Sequence, residues 1–370
     1  MENKYKFTKN NTLAVKGIAI FMLLGYHCFS SVERLYGANV NFTPFAQEKV
    51  MEVCGWMQQC VGIFAFLSVY GLTLSMKKQY KDLEFSGKEA TLFVVKRYLH
   101  LVFMFLIPYF LCFGVTYGLG YHRYNNSLWE NVISALADIL CVGRLFGTRL
   151  LIPTWWYLSL EVMLIVFLPV VIVFYKKFGW LSVGAILILG TRWLDMENSM
   201  SMYLFTAPLA VCFADQDIFA RLKAWNPLRV KFLSKIFKIF CSSVMIVIMC
   251  MVIKTDWGNK QFGFLLGGII PAVIIYWAYE FVIEIPVIRQ ILEFIGKYSG
   301  LIYYIHTFIR GVWLTDVTYS FPYAWQILLF VLGVSIAIAI AIELVRKVLH
   351  LRQLSGMIIG WVTGWAERTL

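Results

Sequence analysis

The chain has 370 residues and a mass of 42.8 kDa, with 60% hydrophobic residues, 15% charged residues and a mean hydropathy of +0.71. Soluble domains carry roughly a quarter charged residues, so a soluble protein is excluded. The net charge of +12 does not point to nucleic acid, because the basic residues are spread through loops between apolar runs rather than gathered in one stripe. No nucleic-acid partner is expected.

Apolar stretches of spanning length run over 12–30, 56–76, 98–119, 155–175, 179–194, 200–214, 236–253, 262–283, 299–315 and 324–345. They predict an all-α, polytopic integral membrane protein of about ten transmembrane helices in a lipid bilayer. Lysines precede the first run, but it ends without a small-x-small cleavage site and its core carries His27. It therefore reads as a retained helix rather than a signal peptide. The polar stretch 30–55 and the stretch 120–152 form the two sizeable outer loops, and 128–141 has the spacing of a helix lying along the interface. The fifth and sixth runs are short, so that pair reads either as two crossings or as one re-entrant unit. With the N-terminus cytoplasmic, about 24 of the 33 basic residues fall on the inner side, the asymmetry of the positive-inside rule. Both termini are then cytoplasmic. Residues 1–346 are expected to form the transmembrane domain and 347–370 a cytoplasmic or interfacial tail, with Trp361 and Trp365 at the interface.

Ionisable groups inside spans are expensive to keep, which makes each a candidate site residue. His27, Glu161 and His306 stand out. Lys16 precedes His27 by eleven residues and shares its helix face, about 16 Å away along the axis. Arg97 and His100 share a face beside Lys96, forming a cationic cluster where a polyanion can dock. Topological anchoring is the plainer account of that cluster. Tyr157 and Glu161 are one turn apart, and His306 shares a face with Tyr303 and Arg310. The bland alternatives are helix–helix hydrogen bonds for the His and Glu side chains and aromatic packing for the tyrosines. The eight cysteines mostly fall in apolar segments without metal-ligand spacing, so no metal site and no Cys54–Cys60 disulfide is expected.

At these residues the chain resembles the acyltransferase 3 family of integral-membrane acyltransferases. The stretch Leu13 to Ile20 with His27 is similar to the family's opening helix, in which a histidine follows a basic residue by eleven positions. Ile63 to Gly71 resembles its Phe-rich Ser-Gly motif, and Lys96 to His100 its paired-arginine motif. Trp155 to Glu161 is similar to its Trp-Tyr-Leu...Glu stretch, and Phe294 to His306 to its closing Gly...Ser...Tyr-x-x-His pattern. Three features depart from that pattern. His100 stands where the second arginine is expected, no Asp precedes Lys16 among Leu13, Ala14 and Val15, and the Ser68 to Gly71 spacing carries extra residues. No hydrolase-like domain is expected after the last helix.

The resemblance implies a membrane-bound O-acyltransferase of a bacterial plasma membrane. It further implies an acyl-CoA donor, usually acetyl-CoA, no permanently bound cofactor, and a hydroxyl acceptor on an envelope or exported carbohydrate. A second copy of the chain or a glycan-assembly protein stands as a candidate partner. CoA is a cytosolic polyanion, so Arg97, Lys16 and His100 are assigned to its phosphates. His27 is the expected catalytic residue, taking a proton from the sugar hydroxyl or accepting the acyl group itself. Glu161 is expected to orient His27 or to bind the acceptor, with Ser68, Tyr157, Tyr304 and His306 in support. The alternative from another class is a transporter or flippase that moves a small substrate or an acyl group without completing transfer.

Overall fold

A computed structural model describes residues 5–194 and 199–369. Lys4, one of the basic residues counted above, and the 195–198 connection between the fifth and sixth runs lie outside the described residues. The helices in chain order are α1 (Lys9–Phe29), α2 (Gln47–Trp56), α3 (Cys60–Gln79), α4 (Gly87–Gly118), α5 (Leu128–Ile139), α6 (Trp156–Phe178), α7 (Trp180–Trp193), α8 (Ser199–Tyr203) and α9 (Thr206–Asp215). There follow α10 (Ile218–Ala224), α11 (Lys231–Lys254), α12 (Asp256–Trp277), α13 (Pro286–Lys297), α14 (Ser299–Phe308), α15 (Thr315–Tyr319), α16 (Ala324–Val348) and α17 (Leu351–Thr369). Among the described residues there is no strand, only an isolated bridge between Asn41 and Tyr323. All eight cysteines are free.

The protein is an all-α polytopic membrane protein. Among the described residues, seven helical segments are long and apolar enough to cross a membrane: Lys9–Phe29, Gln47–Gln79, Gly87–Gly118, Pro153–Phe178, Lys231–Lys254, Asp256–Val282 and Ala324–Val348. The other three predicted spans fall on shorter helices. Trp180–Trp193 has 14 residues, about 21 Å of helix against a hydrocarbon core of about 30 Å. The stretch 299–315 divides into α14 and a π-helical turn at Ile309–Trp313, so its backbone is irregular where Arg310 stands. Such π turns recur at functional sites.

Contacts divide the chain into two compact units. The first comprises Met1–Phe21, Gln59–Glu84 and Phe167–Lys297. It packs α3 against α9 and α12, and α11 against α12. Phe7, Tyr70, Phe219 and Tyr279 form one ring cluster in its core. A buried ion pair, Lys238 Nζ to Glu280 Oε1 at 2.7 Å, joins α11 to the π-helical turn Ala278–Val282 that follows α12. The first part of α1 meets α13 backbone to backbone. A Cβ on Gly17 would lie 2.3 Å from the Leu292 carbonyl oxygen, and one on Gly296 would lie 1.8 Å from that of Leu13. Only glycine allows this approach.

The second unit comprises Met22–Gln58, Phe85–Val166 and Tyr298–Leu370. In it, α4 packs on α14, α5 and α17, and α16 packs on α14 and α17. Ser86 starts α4 with a capping box, its side chain accepting from the Glu89 N–H while Glu89 reaches back. Trp155, buried at the start of the fourth predicted span, contacts the rings of Phe105 and Phe308 and donates from Nε1 to the Tyr304 carbonyl at 3.1 Å.

A separate strut orders the 120–152 loop. The buried Asp138 carboxylate accepts from Tyr124 Oη at 2.6 Å and from the Leu151 N–H at 2.7 Å. Burial raises its pKa to about 6, outweighing the two hydrogen bonds, which lower it. The folded chain therefore binds this proton more tightly than the unfolded chain, and the group's contribution to stability falls as pH rises from about 4 to about 6. Melting of the solubilised protein across pH 4.5–7 is expected to contain a downward component that Asp138→Asn removes; an unchanged profile in the variant contradicts this.

Candidate active site

His27 lies in the last turn of α1, nearer the helix end than the mid-membrane depth its position in the sequence suggested. The chain leaving α1 turns back through a short 3-10 helix at Val32–Leu35, and that turn brings Arg34 to the imidazole. Arg34 Nη1 donates to His27 Nδ1 at 2.9 Å and to the His27 carbonyl at 3.3 Å. Its guanidinium also lies over the Tyr26 ring, 4.6 Å from the centroid. Arginine has no acceptor, so Nδ1 is the unprotonated nitrogen and the neutral ring carries its proton on Nε2.

The His306 ring is the neighbour of His27, with centroids 5.0 Å apart. It is fully buried, and its hydrogen bonds fix the opposite tautomer. Nδ1 faces the carbonyls of Tyr303 at 2.9 Å and Ile302 at 3.1 Å, which only accept, so it is the protonated nitrogen. The Thr307 hydroxyl then donates to Nε2 at 3.0 Å. His27, by contrast, is only partly buried, so its ring is the more accessible of the two.

One turn further on, the buried Arg310 donates from Nη1 to Tyr319 Oη at 3.1 Å and to the Arg34 carbonyl at 3.5 Å. Its Nε is buried without a hydrogen-bond partner, and its guanidinium lies 5.4 Å from the centre of the Tyr36 ring. The two guanidiniums contact imidazole, phenol, carbonyl and aromatic groups. Such a pocket is suited to anionic charge, whether resident on a ligand or developing during a reaction.

Tyr157 and Glu161 stand on α6, with Tyr157 Oη donating to Glu161 Oε2 at 2.8 Å. The Tyr157 ring lies 5.5 Å from that of Tyr303, and Tyr303 lies 6.3 Å from His306. Tyr303 also donates its hydroxyl to the Thr154 carbonyl. A continuous series of side chains thus runs from Glu161 through Tyr157 and Tyr303 to His306 and His27. Tyr304 is buried beside it against Phe105, its carbonyl holding Trp155.

Arg97 and His100 lie elsewhere in the same unit. With Lys96 they line a groove of about 790 Å³ between α4 and α17, which also receives Arg346 and Arg352. Lys16 and Ser68 belong to the first unit, on α1 and α3. Sequence reasoning passed over Arg34, counted only as an outer-loop charge, and gave Arg310 no role beyond sharing a face with His306. The four-residue spacing of His306 and Arg310 was the available signal; for Arg34 there was none, because the fold of the loop brings it back. Among the described residues, no group of three or more His, Cys, Asp or Glu is placed to hold a metal ion.

An irregular buried helix presenting a histidine and an arginine to a second histidine gives this polytopic membrane protein a buried polar site. The chain matches the acyltransferase 3 family model, described as an acyltransferase domain, over residues 14–344. It belongs to that family. The comparisons with curated proteins and with solved structures give no match.

Proposed function

We propose that the protein is a membrane-bound O-acyltransferase, and specifically an O-acetyltransferase, moving an acyl group from cytosolic acyl-CoA to a hydroxyl of an envelope or exported carbohydrate. The observation that carries the reading is a part-buried imidazole hydrogen-bonded to Arg34, whose carbonyl in turn holds Arg310, in a family of acyltransferases. His27 is the catalytic residue. In the tautomer set by Arg34 its only basic nitrogen is Nδ1, so proton uptake occurs there, and Arg34 must first release it. The sugar hydroxyl attacks the thioester carbon and loses its proton to Nδ1. The carbonyl oxygen becomes an oxyanion, which the displaced Arg34 and the fixed Arg310 stabilise. As the carbon–sulfur bond breaks, the thiolate of CoA takes the proton back from the imidazolium, leaving the ester and free CoA.

Glu161, held by Tyr157, binds acceptor hydroxyls or orients His27 through the intervening rings. His306 supports the ring of His27 from behind, and Tyr304 anchors the helix that carries it. Lys16 is assigned to the phosphates of CoA and Ser68 to a supporting hydrogen bond, and the cytoplasmic side is that of both termini. The test is incubation of the purified protein with labelled acetyl-CoA and envelope glycan. Glycan-dependent release of CoA with labelled ester supports the reading; a substrate crossing liposomes with no loss of acyl groups supports transport instead and overturns it.

A further inference from the structure

The α4–α17 groove has two kinds of wall. Lys96, Arg97, Arg346 and Arg352 provide four cations, and its lining contains no acidic residue. Phe103, Met104, Leu106, Ile107, Leu354 and Ile358 provide an apolar floor. A phosphorylated amphiphile matches this division. Arg346 and Arg352 are both held by one carboxylate: Glu343 Oε1 takes Arg346 Nη1 at 2.6 Å, and Glu343 Oε2 takes Arg352. Arg346 is buried and also donates to the Met104 carbonyl on α4, whereas the Arg352 side chain is 72% exposed. The Glu343 carboxylate therefore occupies the position that a phosphate would take between two guanidiniums, and Arg352 is the partner free to move.

Glycines supply the second observation. Gly356 and Gly360 lie one turn apart on α17 and line the groove, and a Cβ on either would meet nothing within 4 Å. A glycine inside a helix is destabilising relative to alanine. In membrane helices that loss is usually offset by close packing against a neighbour, as at Gly17 and Gly296. At Gly356 and Gly360 no neighbour approaches, and the missing side chains only enlarge the groove.

We propose that α17 is a wall of the donor site, and that Arg346 and Arg352 join Arg97 in binding the phosphates of acyl-CoA, which exchange with Glu343, while the space left by Gly356 and Gly360 takes up the rest of the nucleotide-bearing arm. The proposal rests on the acyl-CoA reading above and extends the site from the motif around Arg97 to the C-terminal helix.

The test measures binding of CoA to the full chain in nanodiscs of neutral lipid, with donor KM and kcat in parallel. Arg352→Ala is expected to weaken CoA and raise donor KM about tenfold with kcat little changed, and Glu343→Gln to tighten CoA by releasing Arg352. Gly360→Phe, which enters open space, is expected to abolish CoA binding while the variant keeps the melting temperature of the parent. If the parent binds CoA and Arg352→Ala and Gly360→Phe bind it equally well, this inference fails and the acyltransferase reading stands. If the parent binds no CoA, both fail. If the groove variants change only the retention of anionic phospholipid in mixed-lipid nanodiscs, the groove holds a lipid headgroup and the proposal is overturned.

Discussion

Alanine in place of His27 is expected to lower acyl transfer by about 10²–10⁴-fold at unchanged expression, the range lost when a positioned general base is removed. The neighbouring His306 does not offer a comparable base, since it is fully buried with both ring nitrogens engaged. Arg34→Met separates the two roles given to that arginine. It frees Nδ1 and also removes a cation from the developing oxyanion, so kcat is expected to fall by about 10²-fold while donor KM stays close to its original value, because the phosphates bind elsewhere. Full activity in the His27 variant, measured in a membrane preparation, would remove the ring from the mechanism altogether. A rise in KM alone for Arg34→Met would instead move that residue to donor binding.

The second large effect concerns stability. Trp155 is 1% exposed, contacts Phe105, Tyr109 and Phe308, and uses its indole N–H on the Tyr304 carbonyl. Truncation to alanine removes all of these contacts at once and is expected to cost about 3–5 kcal/mol. Trp155→Phe keeps most of the apolar volume and loses mainly the hydrogen bond, about 1 kcal/mol. Thermal melting in one detergent should rank parent, Phe variant and Ala variant in that order. Because Tyr304 lies two residues before His306, the alanine variant is also expected to lose activity below its melting temperature. An alanine variant as stable as the parent would show that the tryptophan is only an interfacial anchor.

Hydropathy was a good guide to the fold, because each apolar run must satisfy its own backbone in lipid and so becomes a helix. All ten runs fall on helical segments. What hydropathy does not carry is how a helix ends: α14 gives way to a π turn at Ile309, and no composition signal separates those five residues from the helix before them. The same holds for the site. His27, Glu161, His306, Tyr157 and Tyr304 could be singled out because polar groups are conspicuous in apolar surroundings. Arg34 could not, because it sits in a polar loop where a basic residue is unremarked, and its partnership with His27 depends on the 3-10 turn at Val32–Leu35. The distance from Arg97 to Arg352 along the chain hid their shared groove in the same way.

The backbone contact between α1 and α13 has a consequence for any survey of tolerated substitutions. Lys16 and Gly17 are neighbours in the motif that opens the chain, yet position 17 admits no side chain because the Leu292 carbonyl lies where a Cβ would go. Gly296 answers it from the other helix, one residue before Lys297. In a saturation scan both glycines should be as intolerant as His27, but for a different reason, visible as loss of protein rather than loss of turnover. Abundance and activity scored separately would sort the motif into residues that let helices touch and residues that handle the acyl group.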